Sequence, residues 1–210
     1  MQNKFIQFLK EWVLPVVVAF IAVTLVRTFL FSFVLVNGSS MAPNLQNKEL
    51  VVLSKISKYQ HGDVIVFNAK HEDPRIRAGE KDYVKRIIGM PGDTVSYKNS
   101  NLYVNDKIIN QDYIGINERT QGTEMSFGND WSLKSLSSTN QWQKKDRNQT
   151  KVPAGEYFVM GDHRSVSNDG RYFGFVDKKH VTGKVIVPFW SSNQEAKQNI
   201  NGQNKKFYAK

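Results

Sequence analysis

The chain has 210 residues, enough for one domain and an appendage, and 40% of them are apolar, enough to fill a core. A net charge of +10 calls for an anionic partner, but the basic residues are scattered and not interleaved with aromatics, which favours a solvated, membrane-facing surface over nucleic-acid binding. The absence of cysteine excludes disulfides, a cysteine nucleophile and thiolate metal sites, and leaves the compartment open.

The chain begins with its one long apolar run. Fifteen uncharged residues separate Glu11 from Arg27, and a further apolar stretch continues to Val36. About 20 residues cross the hydrocarbon core of a bilayer. Residues 12–31 are therefore expected to form a transmembrane helix, with Arg27 snorkelling to one interface. Pro15 falls in the first turn, where a missing N–H costs little. Lys4 and Lys10 lie in residues 1–11, and the positive-inside rule places that end in the cytoplasm and the rest of the chain outside. The rival reading is a cleaved signal peptide. The run is long for one, and no A-x-A-like site closes it.

Residues 33–36 are β-prone and lead into Gly38-Ser39-Ser40-Met41-Ala42-Pro43-Asn44-Leu45. Pro43 keeps Ala42 out of the helical region, so Ser40 is expected at a strand end or turn. Strands are expected at residues 49–53, 64–67, 82–88, 94–97, 102–104, 155–160 and within 181–190. Residues 98–101 read as a hairpin turn, 70–82 as a charged loop, 89–93 as a tight turn and 161–174 as a turn-rich loop. From about 110 to 152 the chain is polar and irregular, an inserted and partly mobile lobe with Trp131 and Trp142 as anchors. The polar stretch from 191, with a tail at 193–210, is expected to be disordered. Helical periodicity is confined to the anchor, so residues 32–192 are expected to form a mainly β domain outside the membrane.

A serine hydroxyl is a weak nucleophile until a base takes its proton. Of the four histidines, His61 and His71 fall in a turn and a charged loop and are expected in solvent; His180 follows two lysines and is expected exposed. His163, between Asp162 and Arg164, is the one histidine candidate for a base. None of the spacings is a metal-ligand pattern, and no cofactor is called for. Lysine is the other option. It acts only when neutral, so its pKa must drop from about 10.4 towards 7, roughly 4–5 kcal/mol of disfavoured charge. Alternation along a strand puts Lys85 on one face with Tyr83 and Ile87. A lysine taken alone is ordinarily a solvated surface charge.

Three local words bear on that choice, in this order: Gly38-x-Ser40-Met41-x-Pro43; Lys85-Arg86-Ile87-Ile88-Gly89-Met90-Pro91-Gly92-Asp93; and Gly161-Asp162-His163-Arg164-x-x-Ser167-x-Asp169-Gly170-Arg171-x-Phe173-Gly174. Together, behind an apolar span, they resemble the type I signal peptidases, membrane-anchored serine–lysine proteases, in their short single-span Gram-positive form. The resemblance leaves residues 112–150 and the tail uninformed. It implies a signal-peptidase-like, β-rich catalytic domain with Ser40 as nucleophile and Lys85 as general base. It also implies a site supported by Gly38, Met41, Ser167, Asp169 and Arg171, with Asp162 and Arg164 structural. The implied substrates are secretory preproteins cut after A-x-A-like endings, docked as an added strand along Val36, Asn37, Asp82, Tyr83 and Val84. The lipid bilayer is the other implied partner; nucleic acid is not one, and secretion machinery is not implied by the sequence. The chain departs from the family pattern at Gly38, where some members have an oxyanion-donating serine, at His163, where Asn is usual, and at Gly170, where Ser is usual. Two rivals remain: a self-cleaving serine–lysine protease of the repressor type, which the span argues against, and a non-catalytic assembly factor for surface proteins, which would not need both Ser40 and Lys85.

Overall fold

The computed structural model describes residues 6–76 and 82–209, so part of the charged loop expected at 70–82 lies outside the described residues. The apolar run forms one helix, Ile6–Leu30, exposed along its length. Its 25 residues measure about 37 Å, more than the roughly 30 Å of a hydrocarbon core. At Leu30 the chain turns extended, with Phe31 at φ −140°. Two of the carbonyls orphaned at that helix end are taken by Lys55, its N–H donating to Leu30 O (2.9 Å) and its Nζ to Thr28 O (2.9 Å). The helix is thus tied directly to the domain that follows.

That domain is built of two antiparallel sheets. The larger runs in the order β1 (Phe31–Leu35), β2 (Leu50–Ser54), β11 (Val181–Ile186), β3 (Val64–Asn68), β4 (Asp82–Gly89), β9 (Glu156–Met160) and β10 (Val176–Asp177). The smaller runs β7 (Lys107–Ile108), β6 (Asn101–Val104), β5 (Val95–Lys98) and β8 (Asp130–Ser132). The β5–β6 hairpin turns at Asn99 and Ser100, both at positive φ (49° and 63°), the geometry of a two-residue turn matched to strand twist. The chain is mainly β, as its strand patterning implies.

The two faces of β4 decide where the site forms. Ile65, Phe67, Ile87, Val159 and Phe173 pack on the face to which Lys85 points. Val64, Val66 and Val84 lie on the other, packed with Met41 and Leu45 of the loop after β1. The closing element of that second cluster is a helix, Gln194–Asn201, whose Ala196 and Ile200 are buried in it. The polar tail expected to be disordered is therefore ordered. Two apolar residues spaced i, i+4 are too few to show periodicity in a stretch of Gln, Asn and Lys, yet they suffice to dock one face. Phe207 continues the docking, buried in the third cluster.

The insert is also ordered rather than mobile. Trp131 and Trp142 are both buried and pack around Phe158, Trp142 at 6.3 Å between ring centroids. Trp142 Nε1 donates to Arg171 O (3.0 Å), fixing the insert to the loop before β10. Next to it Asp146 is buried, 3.3 Å from the Phe175 N–H and 3.8 Å from Lys145 Nζ. Burial pushes its carboxyl up to about 7. The folded state thus holds this proton more tightly than the unfolded chain, so the stability it contributes is full below about pH 4 and is lost as pH rises to about 7. Asp146→Asn is expected to gain on the parent across that window, by up to about 4 kcal/mol at pH 8. Melting temperatures of both proteins at pH 4 to 8 check this; a difference independent of pH would contradict it.

Two of the histidines expected in solvent are in fact paired. His61 Nε2 lies 2.6 Å from Asp93 Oδ2 and its ring stacks on Phe207 at 4.7 Å. His180 Nδ1 lies 2.6 Å from the buried Glu72 carboxylate. Their partners are 32 and 108 residues away, beyond the reach of a local reading. His71 is exposed, stacked on the His180 ring at 4.5 Å.

Candidate active site

The turn after β1 crosses the edge of β4. Val36 pairs its backbone with Glu49 O (2.9 Å) and Lys48 N (2.7 Å), prolonging the β1–β2 ladder by one residue. Gly38 then takes φ +96°, a conformation that favours glycine, and its N–H donates to Asn47 Oδ1 (3.0 Å). Residues 39–45 follow as tight turns, with Ala42 N bonded to Ser39 O (3.0 Å) and Leu45 N to Met41 O (2.9 Å). Met41 and Leu45 are buried on one side of the sheet, and the buried Met41 side chain pins the loop there. Ser40 is left at the edge.

Lys85 meets it from the strand. Its Nζ donates to Ser40 Oγ at 2.9 Å and to Val84 O at 3.1 Å, and stands 4.9 Å from the centre of the Tyr83 ring. The residue is 3% exposed. The sequence words thus converge on a serine hydroxyl and a buried amine within hydrogen-bond reach.

The third word closes the site from behind. His163 N donates to Ser40 O (3.1 Å), and Ser167 N donates to His163 O (3.0 Å). A Cβ on Gly161 would run into the Ser167 side chain and Ser40 O (2.6 Å), so only glycine lets this loop come so near the Ser40 carbonyl. Asp169 accepts from Gly161 N (2.9 Å) and holds Arg171 by both oxygens, Nε at 2.9 Å and Nη2 at 3.0 Å. Burial works to raise its pKa; the Arg171 charge and these hydrogen bonds outweigh burial and keep the carboxyl below its usual range, with a smaller contribution from Lys85. Arg171 Nη2 also donates to Arg164 O (2.6 Å), which stiffens the loop. Ser167 Oγ, by contrast, is buried and makes no hydrogen bond, so it does not hold the Lys85 amine in this state.

Arg86, next to the lysine, points to the opposite face and is wholly buried. It forms a fork with Asp162, Nε to Oδ1 at 2.8 Å and Nη2 to Oδ2 at 2.6 Å. Burial opposes its charge, but Asp162 outweighs burial and holds the guanidinium above its ordinary pKa. Arg164 is equally buried and bonds Gln111 (2.7 Å), Thr123 (3.2 Å) and the Tyr113 hydroxyl (3.0 Å) of the insert. These structural ties account for Asp162 and Arg164 without a chemical role.

The departures from the family pattern also find physical places. A Cβ at Gly38 would meet nothing within 4 Å, so the space beside Ser40 there is open. A Cβ at Gly170 would meet Val159 O at 2.8 Å, so in this chain a side chain there would force the β9 backbone to shift. His163 Nδ1 lies 3.2 Å from Ser39 O and its Nε2 3.8 Å from Glu118 Oε1; its ring is directed to the backbone before Ser40 and to the insert.

On its inner side, β4 pairs with β3 from Asp82 onward, but β9 joins only at Arg86. Among the described residues the outer edge at Asp82, Tyr83 and Val84 carries no strand. Of the expected substrate contacts, Val36 is excluded as a backbone partner because both of its backbone groups are already paired and it is buried. Asn37 follows it at the edge of the turn. No group of three or more acidic or histidine side chains is placed to hold a metal among the described residues.

An antiparallel β domain behind one apolar helix, with a serine and a lysine in contact at an open strand edge, has the form of a membrane-linked hydrolase. The profile of the family described as signal peptidase, peptidase S26, matches residues 9–190. The signal peptidase IB of Staphylococcus aureus is 36% identical over 202 residues, covering 94% of this chain and 97% of its own. The signal peptidase I P of Bacillus subtilis subsp. natto is 37% identical over 186 residues, covering 86% and 88%. A crystal structure of a signal peptidase I from Enterococcus faecalis is 33% identical, covers 61% of this chain and 97% of its own, and has a TM-score of 0.48. The chain belongs to the signal peptidase family, whose members cleave signal peptides from preproteins.

Proposed function

We propose that the protein is a membrane-anchored serine endopeptidase that removes signal peptides by a Ser40–Lys85 dyad through an acyl-enzyme. The observation that carries this reading is the 2.9 Å contact between Lys85 Nζ and Ser40 Oγ on a buried lysine. Neutral Lys85 accepts the Ser40 proton as Oγ attacks the scissile carbonyl. The tetrahedral intermediate collapses with cleavage of the C–N bond, and Lys85 returns the proton to the leaving amine. Lys85 then takes a proton from water as that water attacks the Ser40 ester, and gives it to Ser40 Oγ as the acyl C–O bond breaks and the signal peptide leaves as its carboxylic acid. The resting site contains features that favour a charged lysine, the Tyr83 ring and the Asp169 carboxylate, although Arg171 already matches the latter. A substrate strand laid over the open edge removes the remaining water, which raises the cost of the charge and favours the neutral amine.

The open edge at Asp82 to Val84 receives the substrate as an added strand, with Asn37 as a further contact. Alternation then turns the residues one and three before the cut to the same side, against the enzyme. Ser40 N–H serves as a backbone donor to the oxyanion in this reading. The helix Ile6–Leu30 spans the bilayer with its basic end in the cytoplasm. The apolar face of Phe31, Phe33, Leu35 and Leu50, exposed and continuous with that helix, rests at the membrane surface.

The test is cleavage of a secretory preprotein by the full chain in detergent or vesicles. Replacing the residue before the cut, Ala by Leu, is expected to lower kcat/KM at least about a hundredfold through steric exclusion. His163→Ala is expected to retain cleavage within about tenfold. Loss of cleavage on His163→Ala with retention in Lys85→Met would transfer the role of base to the histidine.

A further inference from the structure

The helix Gln194–Asn201 lies beyond the segment that the family profile matches, yet it reaches the hidden side of the site. Asn199 presents two groups there. Its backbone carbonyl accepts from Arg86 Nη1 at 2.9 Å, and its side-chain Nδ2 donates to Asn44 Oδ1 at 2.8 Å. Asn44 is 2% exposed and spends its own Nδ2 on Asp162 Oδ2 (2.8 Å) and Tyr113 O (2.7 Å). Asp162 closes the ring through its fork to Arg86.

Three members of this ring sit beside a group that the proposed chemistry uses. Asn44 belongs to the turn that carries Ser40, Arg86 adjoins Lys85, and Asp162 opens the loop that clasps Ser40 O through His163 N. We infer that Asn199 is a positioning residue: through Asn44 and Arg86 the C-terminal helix fixes the nucleophile turn against the base strand. This rests on the Ser40–Lys85 reading. A buried carboxamide has one good orientation when both its oxygen and its nitrogen are bonded, so Asn44 sets a distance between segments that are far apart in sequence. Without Asn199 the Asn44 oxygen is buried and unpaired, and the turn relaxes to find another donor. Displacements of about 1 Å at a reacting pair cost up to about a hundredfold in rate.

The test is steady-state cleavage of a preprotein by the full chain, well below its melting temperature. Asn199→Ala is expected to lower kcat about tenfold or more with KM changed less than about twofold. Asn44→Ala is expected to do the same, and the double variant to lose no more than the worse single one. Glu195→Gln, on the exposed side of the same helix, is expected to leave kcat unchanged. Deletion after residue 193 removes both Asn199 contacts at once; if that protein fails to fold, the point variants still decide. An unchanged kcat in Asn199→Ala, or losses that multiply in the double variant, would overturn the inference. Ser40→Ala serves as the control: persistent cleavage there would refute the serine–lysine reading itself, whereas an inactive Ser40→Ala with a normal Asn199→Ala would refute only the positioning role.

Discussion

Ser40→Ala and Lys85→Met are each expected to abolish preprotein cleavage, with kcat/KM falling by about four orders of magnitude or more. The size follows from how the pair acts. The Ser40 hydroxyl is a poor nucleophile unless its proton leaves as the new bond forms, and Lys85 Nζ is the basic group in contact with it at 2.9 Å. Removing the oxygen leaves nothing to be acylated. Removing the amine leaves an oxygen that must expel its proton into a dry site. Groups that work as one unit lose nearly everything when either goes, so the double variant is expected to be no worse than the poorer single one. Methionine is the informative substitute for Lys85: it keeps the apolar stem that packs beside Ile65 and Ile87, so melting temperature should stay near that of the parent. Cleavage of a preprotein followed by gel or mass spectrometry reads the result. Retained cleavage in Lys85→Met would assign the base elsewhere.

Asp162→Ala is expected to destabilise the folded domain by about 3–5 kcal/mol, the usual cost of breaking one side of a buried ion pair. Asp162 and Arg86 are both inaccessible to water, and the fork at 2.8 and 2.6 Å is the only source of negative charge bonded to that guanidinium among the described residues. Its other contacts, Gly62 O, Asn199 O and the Tyr113 ring, are neutral. The variant leaves a full positive charge in the core. Asp162→Asn keeps the shape and one acceptor and is expected to lose less. Unfolding by heat and by urea in detergent measures the difference; a loss below about 1 kcal/mol for Asp162→Ala would show that water or another acid reaches Arg86.

Much of the architecture was legible because a few signals were unambiguous. The run Val64–Asn68 is apolar and bounded by turn residues, and Asp82–Gly89 ends at a Gly-Met-Pro-Gly word, so β3 and β4 were visible locally. The serine and lysine were legible through the family words, not through periodicity, since a strand pattern cannot tell a buried lysine from a solvated one. The boundary between helix and β1 is blurred because both are apolar: the strand begins at Phe31, inside the span 12–31 expected as helix and two residues before the β-prone stretch 33–36. The two- and three-residue strands β7, β8 and β10 carry too few side chains to alternate. The C-terminal helix and the ordered insert leave no signature in the sequence for a common reason. Their stability comes from docking, Ala196 and Ile200 on one core and Trp131 and Trp142 on another, and not from their own composition. The Asn44–Asn199 contact joins residues 155 apart and has no local trace.

The central claim is that Lys85 works as a neutral amine, and its titration tests that most directly. The full chain can be labelled at the lysine side chains, placed in vesicles with a non-cleaved signal-peptide strand bound, and followed by NMR as pH is raised, with Lys85→Met identifying the resonance. The account predicts that Lys85 gives up its proton near neutrality, apart from the surface lysines and in step with the rise in kcat/KM. A Lys85 that titrates together with the surface lysines, in a protein that still cleaves at neutral pH, would contradict it.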